Sequence, residues 1–165
     1  MKFIILAIVL SLIVSCKPEQ KEDVEVIEVV KEKSIREIND ELISKGYKTF
    51  DFVDEATKDT MLMQQYFIAF LKRGPNRSQN KAKTDSLQAL HMEHIGRMYN
   101  EGYADISGPF GDDGDIRGIT IYNTPTIELA DSLANMDPMV KSGRLIIEIH
   151  PYGGLPKGFR CGRGL

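Results

Sequence analysis

Gln65 to Leu71, read QYFIAFL, is a nearly continuous apolar run of strand length. A strand with apolar side chains on both faces must lie inside a sheet that is covered on both sides. That demand constrains the fold more than any other feature of the chain. The helical segments after the run supply one cover, and the other face needs a second.

The stretch Ser86 to Pro109, SLQALHMEHIGRMYNEGYADISGP, reads as an amphipathic helix, a glycine stop, a short strand and a Gly-Pro turn. At about 100° per residue, Leu87, His91, His94 and Met98 fall within roughly 60° of one another. Leu90 and Ile95 flank that stripe. Both histidines therefore face inward or sit at the rim of the inward face. Gly102 suits the left-handed residue that ends a helix. Ala104 to Ser107 alternates as a strand does, and Gly108-Pro109 ends it.

The 165 residues carry a formal net charge of −3, which fits one domain with appendages and gives no support to a nucleic-acid role. Met1-Lys2 precedes an apolar run from Phe3 to Val14, too short to span a bilayer comfortably. Ile13-Val14-Ser15-Cys16 looks like a bacterial lipobox, with cleavage before Cys16 and lipid on its thiol. An ordinary signal peptide or an uncleaved anchor is the alternative. The lipobox reading places the mature protein on a bacterial cell-envelope membrane, anchored to it and not spanning it. The chain has two cysteines. With Cys16 lipidated, Cys161 has no intramolecular partner.

Residues 17–33 are dense in Lys and Glu and read as a charged tether. From Ser34 the spacing of Ile35, Ile38, Leu42 and Ile43 predicts a short amphipathic helix, with Ser34 and Glu37 as a capping box and Gly46 as its stop. Tyr47 to Val53 alternates as a strand, Asp54 to Asp59 is a polar turn, and the alternation resumes at Met61. Lys72 to Lys83, KRGPNRSQNKAK, is a basic, turn-rich loop that could hold an anionic group or simply be solvated. Gly111-Asp112-Asp113-Gly114-Asp115 invites a calcium reading but lacks the further acceptors of such a loop, and Asp113-Gly114 favours a hairpin turn. Ile116 to Tyr122 is the next strand. Thr124-Pro125 reads as N-cap and N1 of a helix reaching about Asn135, ended by Met136-Asp137-Pro138. Leu145 to His150 is the last strand.

From Gln65 the order is strand, helix, strand, strand, helix, strand. This predicts an α+β, ferredoxin-like βαββαβ fold: a four-stranded antiparallel sheet, two helices on one face, and an N-terminal helical and extended extension. The expected organisation is 1–16 signal peptide, 17–33 tether, 34–64 extension, 65–152 domain and 153–165 flexible tail. The bare sheet face is most simply covered by a second copy, so a homodimer is expected.

From about Tyr66 to Pro151 the chain resembles the YciI-like, or YCII-related, family. The residues that carry this are His91 ahead of Gly102, the run Ile106-Ser107-Gly108-Pro109, and Asp137-Pro138-Met139-Val140-Lys141-Ser142-Gly143 before the last strand. The leader and the segment before Gln65 lie outside it. The resemblance implies pairing into a dimeric α/β barrel and a His–Asp active site, with His91 and Asp137 at the matching positions. It implies cofactor-free chemistry on small ring-cleavage products, dehydrochlorination among them.

A histidine with a carboxylate beside it can move a proton at neutral pH, which suits abstraction next to a carbonyl followed by elimination or isomerisation. In this reading His91 is the general base and Asp137 its orienter. The backbone at Ser107, Gly108 and Pro109 lines the substrate pocket, and the ligand is a small acidic molecule. The other reading is a non-catalytic binding or assembly module of the envelope that has kept the fold. His94 reads as a packing or rim residue, and a zinc site from His91, His94 and His150 is a weak signal.

Overall fold

The computed structural model describes residues 33–156. The leader, Cys16, most of the tether, Cys161 and residues 157–165 lie outside the described residues.

Helix α1 (Ile35–Ser44) opens on the expected capping box: Ser34 Oγ accepts from the Glu37 amide at 3.3 Å, and Glu37 Oε2 accepts from the Ser34 amide at 2.8 Å. Next is a hairpin, β1 (Thr49–Val53) against β2 (Thr60–Arg73). Its turn is held by Asp54 Oδ1, which accepts from the amides of Ala56 and Thr57. Then come α2 (Lys81–Asn100), β3 (Ala104–Pro109), β4 (Ile116–Tyr122), α3 (Ile127–Asn135), the four-residue α4 (Pro138–Lys141) and β5 (Leu145–Pro156).

β2 pairs β4 along one edge and β5 along the other, over the same residues Phe67 to Lys72. β4 in turn pairs β3. The order β5-β2-β4-β3, antiparallel throughout with two crossover helices, is the ferredoxin-like arrangement. β1 and β5 both pair Met63 and Gln64, so β1 lies on the β4 edge of β2 and makes a fifth strand. The expected boundary at 64/65 therefore falls inside β2, and the extension shares its sheet with the domain. Burial alternates over Leu62, Gln64 and Tyr66, then over Phe67, Ala69 and Leu71, changing parity between Tyr66 and Phe67, which are both buried.

Three boundaries differ from expectation. α2 begins at Lys81, not near Ser86: Asn80 Oδ1 caps it by accepting from the Lys83 amide at 2.9 Å, and Lys81 pairs with Asp85 one turn on. The lysines that make 72–83 read as loop are an exposed first helical turn. α3 is capped by Thr126, whose Oγ1 accepts from the Leu129 amide, while the buried Thr124 donates to the Thr126 carbonyl. Pro125 holds the residue before it extended, so the helix starts later than Thr124 would allow. β5 runs on to Pro156: Leu155 and Pro156 pair with Gln64 and Met63 of β2 beyond an irregularity at residues 153–154, so 153–156 are strand and not tail.

The core lies between the sheet and α2, α3 and α4. Phe67 and Ala69 of β2, Ala104 of β3 and Tyr122 of β4 pack on Met98 of α2 and on Ala130, Leu133 and Ala134 of α3. Leu71, Leu87, Met139 and Leu145 form a second group under α4. Side chains alternate along a strand, so Ile68 and Phe70 point to the opposite face. There they lie beside Ile121 and Ile119 of β4. None of α2, α3 or α4 covers that face.

Candidate active site

Of the expected helix stripe, Leu87, His94 and Met98 are buried and His91 sits at the rim, while Leu90 is exposed. His91 is on the second half of α2, where its ring meets the loop that joins α3 to α4. That loop ends in Asp137, the N-cap of α4. Asp137 Oδ1 accepts from the Met139 amide at 2.8 Å, and Oδ2 lies 2.6 Å from His91 Nδ1. Helix capping thus places the carboxylate, and α2 brings the imidazole to it across 46 residues of sequence. Against an ionised carboxylate, which only accepts, the His91 ring donates from Nδ1, and in the neutral imidazole that leaves the lone pair at Nε2. The side chains of the two are 12% and 5% exposed, so the pair is sheltered yet His91 is reachable.

His91 lines a cleft of about 340 Å³ at the end of the sheet. Ser107, Gly108 and Pro109 of β3 line it too, so the pocket residues expected from sequence are brought together with the histidine. Ser107 Oγ donates to Thr120 Oγ1 at 3.1 Å, which ties β3 to β4 at this point. Gly118 of β4 allows that approach: a Cβ there would sit 2.5 Å from the Gly108 carbonyl oxygen. At Gly108 a Cβ would meet nothing within 4 Å, in keeping with an open cleft wall.

Asp137 does not line the cleft itself; it lines a small neighbouring void together with His94, Tyr122 and Thr120. His94 Nδ1 takes a hydrogen bond from Arg97 at 3.2 Å, and its Nε2 is buried without a partner. Burial pushes His94 below the ordinary histidine range, against the pull of Asp137. Burial and then Asp137 push the Tyr122 phenol up. His150 is elsewhere: its Nε2 meets Glu148 at 2.8 Å and its ring packs edge-on to Phe70. The three histidines do not converge, and among the described residues no group of three His, Cys, Asp or Glu side chains could hold a metal ion.

Sequence reasoning missed the rest of the lining. Arg77, Arg117 and Arg144 reach the same cleft, with Gln88 of α2. Arg77 comes from the basic 72–83 segment, whose charge is the available signal; Arg117 and Arg144 lie in other segments and carry none. Among the described residues no aspartate or glutamate lines the cleft. Asp113 serves two guanidiniums, Arg73 at 2.9 Å and Arg117 at 2.8 Å, and these hold its carboxyl below the usual range.

No family model matches the chain, and no curated protein matches it. Among solved structures it is similar to 5-chloro-2-hydroxyhydroquinone dehydrochlorinase from Burkholderia phenoliruptrix AC1100 in complex with 2,5-dihydroxybenzoquinone, at 19% identity and a TM-score of 0.40, covering 53% of this chain and 92% of that one. Among the described residues no helix is long and apolar enough to cross a membrane.

Proposed function

We propose that this chain is a YCII-related, cofactor-free lyase or isomerase that acts on a small carbonyl acid through His91 and Asp137. The observation that carries this reading is the 2.6 Å bond from Asp137 Oδ2 to Nδ1 of His91, whose side chain lines the cleft. His91 Nε2 takes a proton from the carbon beside the ligand's carbonyl, and the C–H electron pair becomes an enolate. Asp137 steadies the imidazolium that results. The enolate then either expels a leaving group from the next carbon or regains the proton at a different one. Both outcomes return the enzyme to its starting state, with His91 giving its proton to the leaving group or to the product.

The test is proton exchange. Small 2-oxo and 3-oxo acids are incubated with the full-length chain in D₂O and followed by ¹H NMR. Loss of the signal of the hydrogen beside the carbonyl is expected with the wild type and not with His91→Gln. Equal exchange by both would remove the base from the reading and leave a binding module.

The same proposal includes a homodimer closed over the sheet face that bears Ile68, Phe70, Ile119 and Ile121. That none of α2, α3 or α4 covers that face supports it, since contiguous apolar faces are seldom left to water. It also includes a lipid anchor at Cys16 on a bacterial envelope membrane, supported by the lipobox pattern. Cys16→Ala should move the protein from the membrane fraction to the soluble fraction, and an unchanged distribution would refute the anchor.

A further inference from the structure

We propose that Arg77 and Arg144 form a carboxylate-binding subsite in the His91 cleft, which takes a small organic acid by its carboxylate group. The subsite stands on the lining of the cleft, and its aiming of the rest of the ligand at His91 rests on the acid–base reading.

Three guanidiniums line the cleft and, among the described residues, no carboxylate does. Arg117 is engaged with Asp113 and with the carbonyls of Asp112 and Gly114. Arg77 and Arg144 are differently placed. Arg77 Nη1 donates to the Arg144 carbonyl at 3.1 Å, and Arg144 Nη1 donates to Gln79 Oε1 at 3.1 Å. Both partners are neutral, and among the described residues neither arginine has an ion pair. Each keeps N–H donors in the planar fork that matches a carboxylate.

Their placement is built. The segment bearing Arg77 is fastened to the segment bearing Arg144 by the Gly74 amide on the Arg144 carbonyl, the Asn76 amide on the Gly143 carbonyl, and Asn76 Nδ2 on the Ser142 carbonyl, at 3.0, 3.0 and 2.9 Å. The two arginines are thereby held together at the entry to β5, with no counter-charge of their own. Burial first, then the cations Arg144, Arg73 and Arg117, push Arg77 below the ordinary guanidinium range, with Asp113 alone opposing them. A ligand anion relieves that repulsion.

The other walls say what the anion is attached to. Leu71, Ile95 and Met139 line the cleft beside the arginines. A small carbon skeleton uses these walls; a bare phosphate, compact and strongly hydrated, does not. Gln88 faces the same space and offers an amide to a neighbouring oxygen.

The experiment is a ¹H–¹⁵N NMR titration of the full-length chain with malonate, with malonamide as its uncharged counterpart, and with inorganic phosphate, all at one ionic strength. Saturable shifts at the Arg77 and Arg144 Nε–H signals are expected with malonate, none with malonamide, and weaker binding with phosphate. Arg77→Gln and Arg144→Gln should each weaken malonate binding by about 10-fold or more, while Arg77→Lys keeps a larger share of it. No saturable response to malonate, an equal response to malonamide, tighter binding of phosphate, or unchanged affinity in the double Gln variant would each overturn the subsite. Should the double variant lose its amide dispersion, the malonate–malonamide contrast in the wild type decides. A failed exchange test with malonate binding intact sinks the acid–base reading alone; the reverse sinks the subsite alone.

Discussion

Asp137 caps α4 with one carboxylate oxygen and holds the His91 imidazole with the other. One buried side chain thus sets the direction of a short helix and the tautomer of the candidate base. The two tasks need different chemistry, so substitutions can separate them.

Asparagine caps helices nearly as well as aspartate, but its amide can offer a proton to Nδ1 and shift the ring to the other tautomer. Asp137→Asn should therefore keep most of the stability and lower proton exchange on the order of 10²- to 10⁴-fold. Asp137→Ala should cost roughly 1 kcal/mol more in urea denaturation than Asn does, because the cap is lost as well. ¹⁵N chemical shifts of the His91 ring should report Nδ1–H in the wild type and not in the Asn variant.

Gly118 of β4 sits close against the Gly108 carbonyl of β3, and substitutions at the two glycines should have opposite effects. Gly118→Ala drives a methyl group against the Gly108 carbonyl and should destabilise by ~1–3 kcal/mol, with the strands forced apart. Gly108→Ala should leave the melting temperature close to that of the wild type and weaken malonate binding, since its new methyl group enters open space. Comparable destabilisation by both would show that the close strand contact at Gly118 does not govern stability here.

His94 makes stability depend on pH. Its folded-state pKa is lowered, so the unfolded chain binds the proton more tightly. Stability is complete above the ordinary histidine range, near pH 6.5, and falls as the pH drops below it. His94→Leu removes the titrating group and the unpartnered Nε2 together. Urea midpoints at pH 8 and pH 5.5 should differ less in this variant than in the wild type.

Phe70 tests the dimer. It lies on the sheet face away from α2 and α3, against Ile119 and the His150 ring. Phe70→Glu should give a monomer by sedimentation velocity with its far-UV circular dichroism unchanged. A wild type that sediments as a monomer would remove the dimer from the proposal.

Much of the fold is legible in the sequence. Periodicity and capping patterns yield the order of the strands and of the two longer helices from β2 to β5, though not the short α4, and with it the capping box at Ser34, the left-handed stop at Gly102, whose φ is +79°, and the inward placing of His94 and Met98. These are local matters, decided by residues within a turn or two of one another. The start of α2 is harder to read because Lys81, Ala82 and Lys83 suit a solvated loop as well as a solvated helical turn, and only the Asn80 cap decides between them. The end of β5 is hidden because its strand character comes from the pairing of Leu155 and Pro156 with β2 and not from the Gly-Gly-Leu-Pro sequence itself.

The sequence by itself determined the alternation of apolar residues, and with it a ferredoxin-like sheet with helices on one side. The resemblance to the YCII-related family, carried by short runs of residues, supplied the candidates His91, Asp137, Ser107, Gly108 and Pro109. What only the tertiary structure decided is which side chains share a space. The pairing of His91 with Asp137, and the meeting of Arg77, Arg117 and Arg144 in one cleft, join segments far apart in the chain. Such contacts depend on how strands and helices are registered against each other, and that information is carried by the packed core as a whole and by no local run of residues.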